Sequence, residues 1–580
     1  MDPVPPLRYS LAVPGGARRL LRFSLEVPGP APVDPLVLRM PAWSPGSYLV
    51  REYARHVRGV RARDARGRPL PVRRVSKDRW RVPAPERGPV RFEWLVHAGE
   101  LSVRTNHADD THAFVQPPAA FLCPEGMEHR ALRVEVRAPR GWDVATSLRR
   151  VRGPGTVFEA ADQEALHDAP IHAGLLRRVP FRVLGVPHEF ALWGEGNADP
   201  RGLARDFARV VAAGARLFGG LPYDRYVVHG LLAEAGGGGL EHRDGFVFLA
   251  PRWGFRPRAA YDRVLGLLAH EFFHAWNVRR IRPAGLLPYD LAQEKYTRLL
   301  WQFEGVTSYY EVLLLRRAGL WTRERALEAL GERIGQLLAV PGRREMPLAE
   351  ASVAAWVKFY RPDEDTPNSA VSYYLKGSLA GMALDLHLRA ASGGRRSYDG
   401  VMRLLWRRFG RKGEPVPEDA LPGLLEEVGG RSAARLHHAL VEGTADPDWE
   451  RLLAPFGVAV ERRPAGLPEG WGPGAWLGAE PEERNGRTVL KTVRADGPAA
   501  GAVAAGDELV ALDGYRCNAE SLPRRLAERR PGEEARLTLL RGDRLLEARV
   551  ALARHPEEKV VLRADPEASR EAKRMLRGWL

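Results

Sequence analysis

His270-Glu271-Phe272-Phe273-His274 places two imidazoles and a carboxylate in five residues, a spacing with a specific chemical use on a helix. Around it Val264, Leu265, Leu267, Leu268, Phe272, Phe273 and Trp276 recur at helical intervals, which predicts a helix over Ala260–Val278. Residues four apart on a helix lie one turn above each other, so His270 and His274 can face one ion. A catalytic zinc takes about three protein ligands and leaves a position for water, and Glu271 is placed to take a proton from that water. Two partly buried histidines on an amphipathic helix would satisfy the same pattern, so the rest of the chain has to supply a third ligand. Two glutamates follow His274: Glu294, in Leu291–Tyr296, and Glu304, in Trp301–Tyr310. Spacing does not choose between them. The context of Glu304 favours it, with Trp301 three residues before, Gly305 after and an apolar helical run beyond.

Those residues must be held by a large scaffold. At 580 residues the chain is too long for one core, and about three or four domains are expected. Hydrophobic content of 44% and charged content of 28% are ordinary for a globular protein. No stretch reaches the roughly 20 apolar residues of a membrane span, and Met1–Pro6 does not read as the start of a secretory signal. Cys123 and Cys517 are the only cysteines, which predicts no disulfide framework and a cytoplasmic location. The net charge of +16 comes from 88 basic residues, 8 of them lysine and 80 arginine, spread along the whole chain. A nucleic-acid site would gather them in a patch, so no nucleic-acid partner is expected.

Residues 1–175 alternate short apolar runs with Pro, Gly and charged turns. Leu36–Met40, Val90–Val96 and Leu132–Val136 read as strands, so this part is predicted to be a β-rich, sandwich-like domain. Residues 176–455 begin with strands at Tyr226–Leu232 and Phe246–Leu249. They continue as helices at Gly202–Phe218, Ala260–Val278, Tyr296–Gly319, Thr322–Leu338, Ser369–Ala391 and Tyr398–Phe409. Arg462–Gly470 reads as a linker, and residues 470–555 as a compact small domain of strands with a helix at Leu522–Arg529. Residues 556–580 are charged and read as a short terminal helix or a frayed tail. The predicted fold class is thus a multidomain α+β protein, with the chemistry in the mixed middle domain. If Arg462–Gly470 is a linker, a chain ending near Arg462 should stay folded and hold its metal.

Trp301-Gln302-Phe303-Glu304-Gly305 after the His-Glu-x-x-His helix resembles the gluzincin metallopeptidases. The fuller string His270–Pro283 is similar to the glycyl aminopeptidase family among them. Pro41-Ala42-Trp43-Ser44-Pro45-Gly46-Ser47-Tyr48, with Arg51–His56, resembles that family's N-terminal signature. Gly238-Gly239-Leu240-Glu241-His242 resembles its exopeptidase motif, and Tyr374-Leu375-Lys376-Gly377 resembles the Tyr-x-Lys-Gly motif of related aminopeptidases. Gly506–Gly514, with Gly497–Ala500 upstream, resembles a PDZ domain, which the family carries at its C-terminus. The resemblance implies an N-terminal β domain, a thermolysin-like catalytic domain, a zinc ion held by His270, His274 and Glu304, and a preference for N-terminal glycine or alanine.

Each match also has its own chemistry. Gly236–Gly239 leaves backbone unshielded, so an extended peptide could add to it as a strand, with Gly238 and Gly239 as the candidate contacts. Four glycines precede Leu240, and the residues leave open which two carry the substrate. Glu241 would meet the substrate's free α-ammonium in a charge-assisted hydrogen bond. Tyr374 could donate to the developing oxyanion, although a half-buried helix tyrosine beside Tyr373 would look the same. Asn277, His242 and Tyr309 fit supporting roles around the ligands or plain core and surface roles equally well. Arg279 and Arg280 read as solvated.

The reading is a zinc aminopeptidase acting on peptides with a free N-terminus. The PDZ-like domain offers a site for a peptide or protein C-terminus. Two alternatives keep the same residues: an endopeptidase in which Glu241 is structural, and a silent peptidase that binds through its PDZ-like domain. Keeping Glu271 and Tyr374 beside three ligands argues against the silent reading.

Overall fold

A computed structural model describes residues 5–14, 18–29, 34–83, 88–465 and 474–580. They form two compact units. The first comprises Met1–Tyr296, Arg317–Leu320 and Leu405–Pro417; the second comprises Thr297–Arg316, Trp321–Leu404 and Glu418–Leu580.

The first unit opens with the expected β-rich part. Leu7–Ala12, Leu20–Val27, Val57–Arg63, Val90–His97, Leu132–Arg137 and Val157–Ala160 belong to an eight-stranded sheet. Along Val90–His97 the side chains alternate buried and solvent-facing, the period-2 pattern of a half-buried strand. Two four-stranded sheets complete this part, and one hydrophobic cluster gathers inward residues such as Phe23, Leu38, Trp94, Phe121 and Val134.

Next comes a five-stranded sheet of β1 (Arg177–Val183), β2 (Val186–Trp193), β3 (Tyr226–Ala233), β4 (Gly238–His242) and β5 (Gly245–Pro251), in the order β1-β2-β3-β5-β4. β3 is buried at every position, as a central parallel strand covered on both faces requires. β4 is an edge strand, antiparallel to β5 with Gly239 opposite Phe248 and Glu241 opposite Phe246. Two helices pack here, α1 (Pro200–Phe218) and α2 (Arg258–Phe273). α1 starts on Pro200 behind Asp199, whose side chain accepts from Arg201 N. α2 packs on β4 and β5.

Among the helices of the second unit are α3 (Val306–Arg317), preceded without a break by a π-helical turn at Trp301–Gly305, then α4 (Arg323–Leu338) and α5 (Leu375–Ala391). A strand β6 (Val458–Arg463) then leads into the small domain, whose six-stranded sheet closes over its own core of Leu490, Leu509, Leu512, Leu537 and Leu539. The chain returns as β7 (Lys559–Ala564), antiparallel to β6, and ends in α6 (Arg570–Trp579). Residues 556–580 are therefore no frayed tail. They hold a strand the sequence did not suggest and the terminal helix that it did. The predicted linker begins only after Arg463, since Val458–Arg463 is strand; its 466–470 part lies outside the described residues.

The first unit buries several imidazoles. His107 Nδ1 lies 2.8 Å from His112 Nε2, and His112 Nδ1 lies 3.1 Å from His172 Nε2. Trp193 stacks on His112 at 3.6 Å. Burial pushes His172 down to about 3, His167 down to about 3 and His188 down to about 4, and drives His229 well below its ordinary value. These groups fold neutral, whereas in the unfolded chain they protonate near pH 6.5. Their contribution is complete above that pH and declines as pH falls through 6.5 toward the folded values. Each such histidine costs about 2 kcal/mol of stability between pH 7 and pH 5. A pronounced fall in the unfolding temperature over that interval is expected; an unchanged melting curve at pH 5 would mean these histidines are already charged in the fold.

Candidate active site

The metal-binding helix stops earlier than its periodicity predicts. α2 ends at Phe273, and the chain turns back through Asn277–Ile281, with Val278 at φ +111° and Ile281 N donating to Trp276 O at 2.8 Å. That turn brings the Asn277 carbonyl 2.7 Å from His274 Nδ1. A carbonyl can only accept, so Nδ1 carries the proton and the Nε2 lone pair is left for a metal. The His270 and His274 rings stand 4.7 Å apart, as one helical turn requires. This donor arrangement fits a metal ion, and Asn277 supports it through its backbone carbonyl.

Glu271 leaves the same helix toward β4. A Cβ on Gly239 would come within 2.5 Å of Glu271 Cγ and closer still to its carboxylate, so only glycine lets the strand lie against this side chain. Gly239 and Glu241, two apart on a strand, share a face. Carboxylate oxygens of Glu241 and Glu271 and a nitrogen of His274 all lie within 4.8 Å of one another, and all three residues are buried. Two buried carboxylates so close repel, and a cation between or beside them relieves the repulsion. Gly238 sits at φ +117°, a second glycine the strand conformation requires.

Arg279 and Arg280 are not solvated. Arg279 is buried and hydrogen-bonds Asp168. Arg280 reaches Arg243 O at 2.6 Å, Ala275 O at 2.9 Å and Asp244 Oδ1 at 2.6 Å. Asp168 also accepts from Arg243 N at 2.9 Å and lies 3.2 Å from His242 Nδ1. Burial alone would raise the Asp168 carboxyl, but Arg279, His242 and the Arg243 amide together hold it below the usual carboxylate range. This knot ties the exit of α2 to the β4–β5 turn and so fixes Glu271 relative to Glu241. His242 belongs to it, so its role is support. Asp168 was missed; nothing near it in sequence points to His242 or Arg279.

In the second unit Glu304 is buried in the π-helical turn. Such turns often mark functional sites, because the inserted residue re-aims one side chain. Gly305, its neighbour, meets α5: a Cβ there would lie 2.5 Å from Gly377 Cα and 2.6 Å from Tyr373 O. A Cβ on Gly377 would in turn lie 2.8 Å from Trp301 O. The two glycines let the backbones touch, which sets Glu304 and Tyr374 in fixed register. Tyr374 is half-buried at the start of α5, its ring stacked on Phe359 at 5.2 Å and beside Tyr373 at 4.8 Å. Lys376 points inward and donates to Arg343 O at 2.6 Å; burial lowers it to about 8. Tyr309 has a core role, donating to Asp385 at 2.7 Å and accepting from Trp579 Nε1 at 2.7 Å. Glu294, the rejected ligand candidate, lies in the first unit.

Comparison with known proteins decides what this arrangement belongs to. A family model described as M61 glycyl aminopeptidase matches residues 263–380, and one for the peptidase M61 N-terminal domain matches residues 8–175. The crystal structure of an aminopeptidase N family protein from Idiomarina loihiensis is 30% identical, covers 99% of this chain and 100% of that one, and superposes with a TM-score of 0.91. The chain belongs to the M61 glycyl aminopeptidase family. It is therefore a metallopeptidase with a metal cofactor and a multidomain fold, as the sequence motifs implied. A PDZ domain model matches residues 475–552. An M1 zinc metallopeptidase from Deinococcus radiodurans is 17% identical over 77% of this chain and 95% of that one, with a TM-score of 0.49. No curated protein matches the chain. Among the described residues of this M61 peptidase, no helix is long and apolar enough to cross a membrane.

Proposed function

We propose that this peptidase is a cytoplasmic zinc aminopeptidase that removes N-terminal glycine or alanine from peptides. The observation that carries the reading is the buried Glu241–Glu271–His274 cluster under an edge strand whose Gly239 lies bare. His270, His274 and Glu304 would hold the ion. Zinc, when bound, acts as a Lewis acid on the scissile carbonyl and makes water acidic enough to attack. A substrate strand adds to the free edge of β4, with Gly238 and Gly239 as its backbone partners. Glu241 takes the α-ammonium and so counts one residue from the chain end. Glu271 accepts the proton of the attacking water and passes it to the leaving amine. The Tyr374 hydroxyl donates to the oxyanion. Two buried free thiols, Cys123 and Cys517, support a reducing compartment. The PDZ domain would take a peptide or protein C-terminus by strand addition.

Glu241→Ala tests the exopeptidase part. Removing one partner of a buried charge pair costs roughly 2–5 kcal/mol. Activity on free glycyl and alanyl p-nitroanilides should fall by two orders of magnitude or more, and a chelator should abolish what the unmutated enzyme does. N-acetylated substrates should be poor from the outset. Equal cleavage of free and acetylated substrates by the unmutated enzyme would hand the site to the endopeptidase reading.

A further inference from the structure

The N-terminal signature Pro41–Tyr48 has a place in the fold that the reaction above does not use. Ser44-Pro45-Gly46-Ser47 is a tight turn, with Ser47 N donating to Ser44 O at 3.0 Å and Gly46 at φ +86°. Proline at the second position and a positive-φ glycine at the third make it a type II turn. Its tip lies against Glu241. A Cβ on Gly46 would come within 2.7 Å of Glu241 Cδ and closer to both carboxylate oxygens. Bare backbone therefore covers one side of the carboxylate, while Glu271 and His274 lie within 4.8 Å of it.

The turn is clamped. Trp43 is fully buried and its Nε1 donates to the carbonyls of Asp290 at 3.0 Å and Gln293 at 2.8 Å. Arg51 Nη2 donates to Ser47 Oγ at 3.0 Å, and Arg51 N to Ala42 O at 2.8 Å. The Tyr53 hydroxyl lies 2.9 Å from Ser44 Oγ and donates to Arg104 O at 2.9 Å. Arg104 then reaches the Gly239 carbonyl at 3.4 Å. One set of side chains thus fixes both the turn on Glu241 and the strand under Glu271. The turn is also buried, with Ser44 1% and Ser47 0% exposed.

We propose that Gly46 is a positioning residue for Glu241. The Pro45–Gly46 turn backs the carboxylate and keeps it in the one orientation that meets a substrate's α-ammonium. Glycine is needed twice over, for the positive φ and because a methyl group has no room beside the carboxylate. Preorganising the anchor this way removes the cost of ordering it on each binding event. The proposal rests on reading Glu241 as the amine anchor, so its test must separate the two.

The test compares Gly46→Ala and Glu241→Gln in the full-length, metal-loaded protein, on free and N-acetylated alanyl p-nitroanilide. Gly46→Ala should lower the free-to-acetylated ratio of kcat/KM at least tenfold, mainly through a raised KM for the free amine, with metal content unchanged. If Glu241→Gln leaves the ratio intact, the anchor reading itself fails. If Glu241→Gln collapses the ratio but a folded Gly46→Ala does not, the positioning role is overturned. Should Gly46→Ala not fold, Arg51→Ala takes its place. It frees Ser47 without adding an atom beside Glu241, a severalfold lower ratio is expected, and an unchanged one counts against the proposal.

Discussion

Glu271→Gln is expected to keep the fold and the metal and to lose kcat by about 10²–10⁴-fold, the usual worth of a general base. The substitution keeps the volume of a side chain that is buried against the Gly239 backbone, so no cavity or clash is created. It removes the basic oxygen together with its negative charge. Because Glu271 is assigned as base and not as ligand, metal content should stay near one ion per chain. His270→Ala, His274→Ala and Glu304→Ala should instead strip the ion, since each removes a donor atom. The loss in Glu271→Gln should sit in kcat with KM moving little by comparison, because proton transfer belongs to the transition state and not to substrate binding. Metal analysis beside steady-state kinetics reads both. Turnover within tenfold of the unmutated enzyme in metal-loaded Glu271→Gln would take the base role away from this residue.

What the sequence revealed and what it hid follow one physical line. The metal-binding helix was legible because helical periodicity and the His-Glu-x-x-His spacing are local. The strands at Val90–His97 and Tyr226–Ala233 were legible for the same reason. Features made by distant partners were not. Arg279 looked solvated because its partner Asp168 lies 111 residues away. The end of α2 was placed too late because the turn depends on Val278 taking φ +111°, a conformation a branched side chain rarely adopts. The π-helical turn at Glu304 was invisible because it sits where Gly305 meets the Gly377 backbone, a contact between two glycines that read only as parts of separate motifs. Gly46 was quoted as part of a signature, but its use appears only when the Glu241 carboxylate is set beside it. The Pro45-Gly46 pair fits a type II turn, but no local pattern names the neighbour.

The C-terminus gives the other large effect, and here the structure reverses the sequence expectation. A chain ending near Arg462 should not stay folded. Such a cut leaves β6 without β7, which pairs with it from Val458↔Ala564 to Arg463↔Lys559. β7 is also seated on α4: a Cβ on Gly331 would lie 2.7 Å from Val560 O, and one on Gly335 would strike Glu558 O. Two glycines one turn apart make a groove for that strand, and emptying it bares the helix. The cut further removes α6, whose Trp579 is buried and donates to Tyr309 OH at 2.7 Å. Arg389 loses Gly578 O, and Arg316 loses Leu580 O, both at 2.7 Å. Deleting one buried tryptophan side chain alone costs about 3–5 kcal/mol, a large part of the 5–15 kcal/mol that holds a typical domain. The PDZ domain is instead an insertion between β6 and β7. Arg463 and Lys559 are opposed residues of one antiparallel pair, so a two- to four-residue turn can join them once residues 465–557 are removed. Among the described residues that excision gives up peripheral links: Asn368 loses its bonds to Val493 O and Ala495 N, each 2.9 Å, Glu558 loses its ion pair with Arg494 at 2.6 Å, and Arg344 loses Asp496 at 4.0 Å. Partly exposed contacts of this kind are worth roughly 1 kcal/mol each. The excised protein should remain monodisperse, bind its metal and cleave small p-nitroanilides, while the chain cut at Arg462 should aggregate or lose metal. A folded, metal-bound product from the Arg462 cut would show that β7 and α6 are dispensable and that the catalytic core ends where the sequence first suggested.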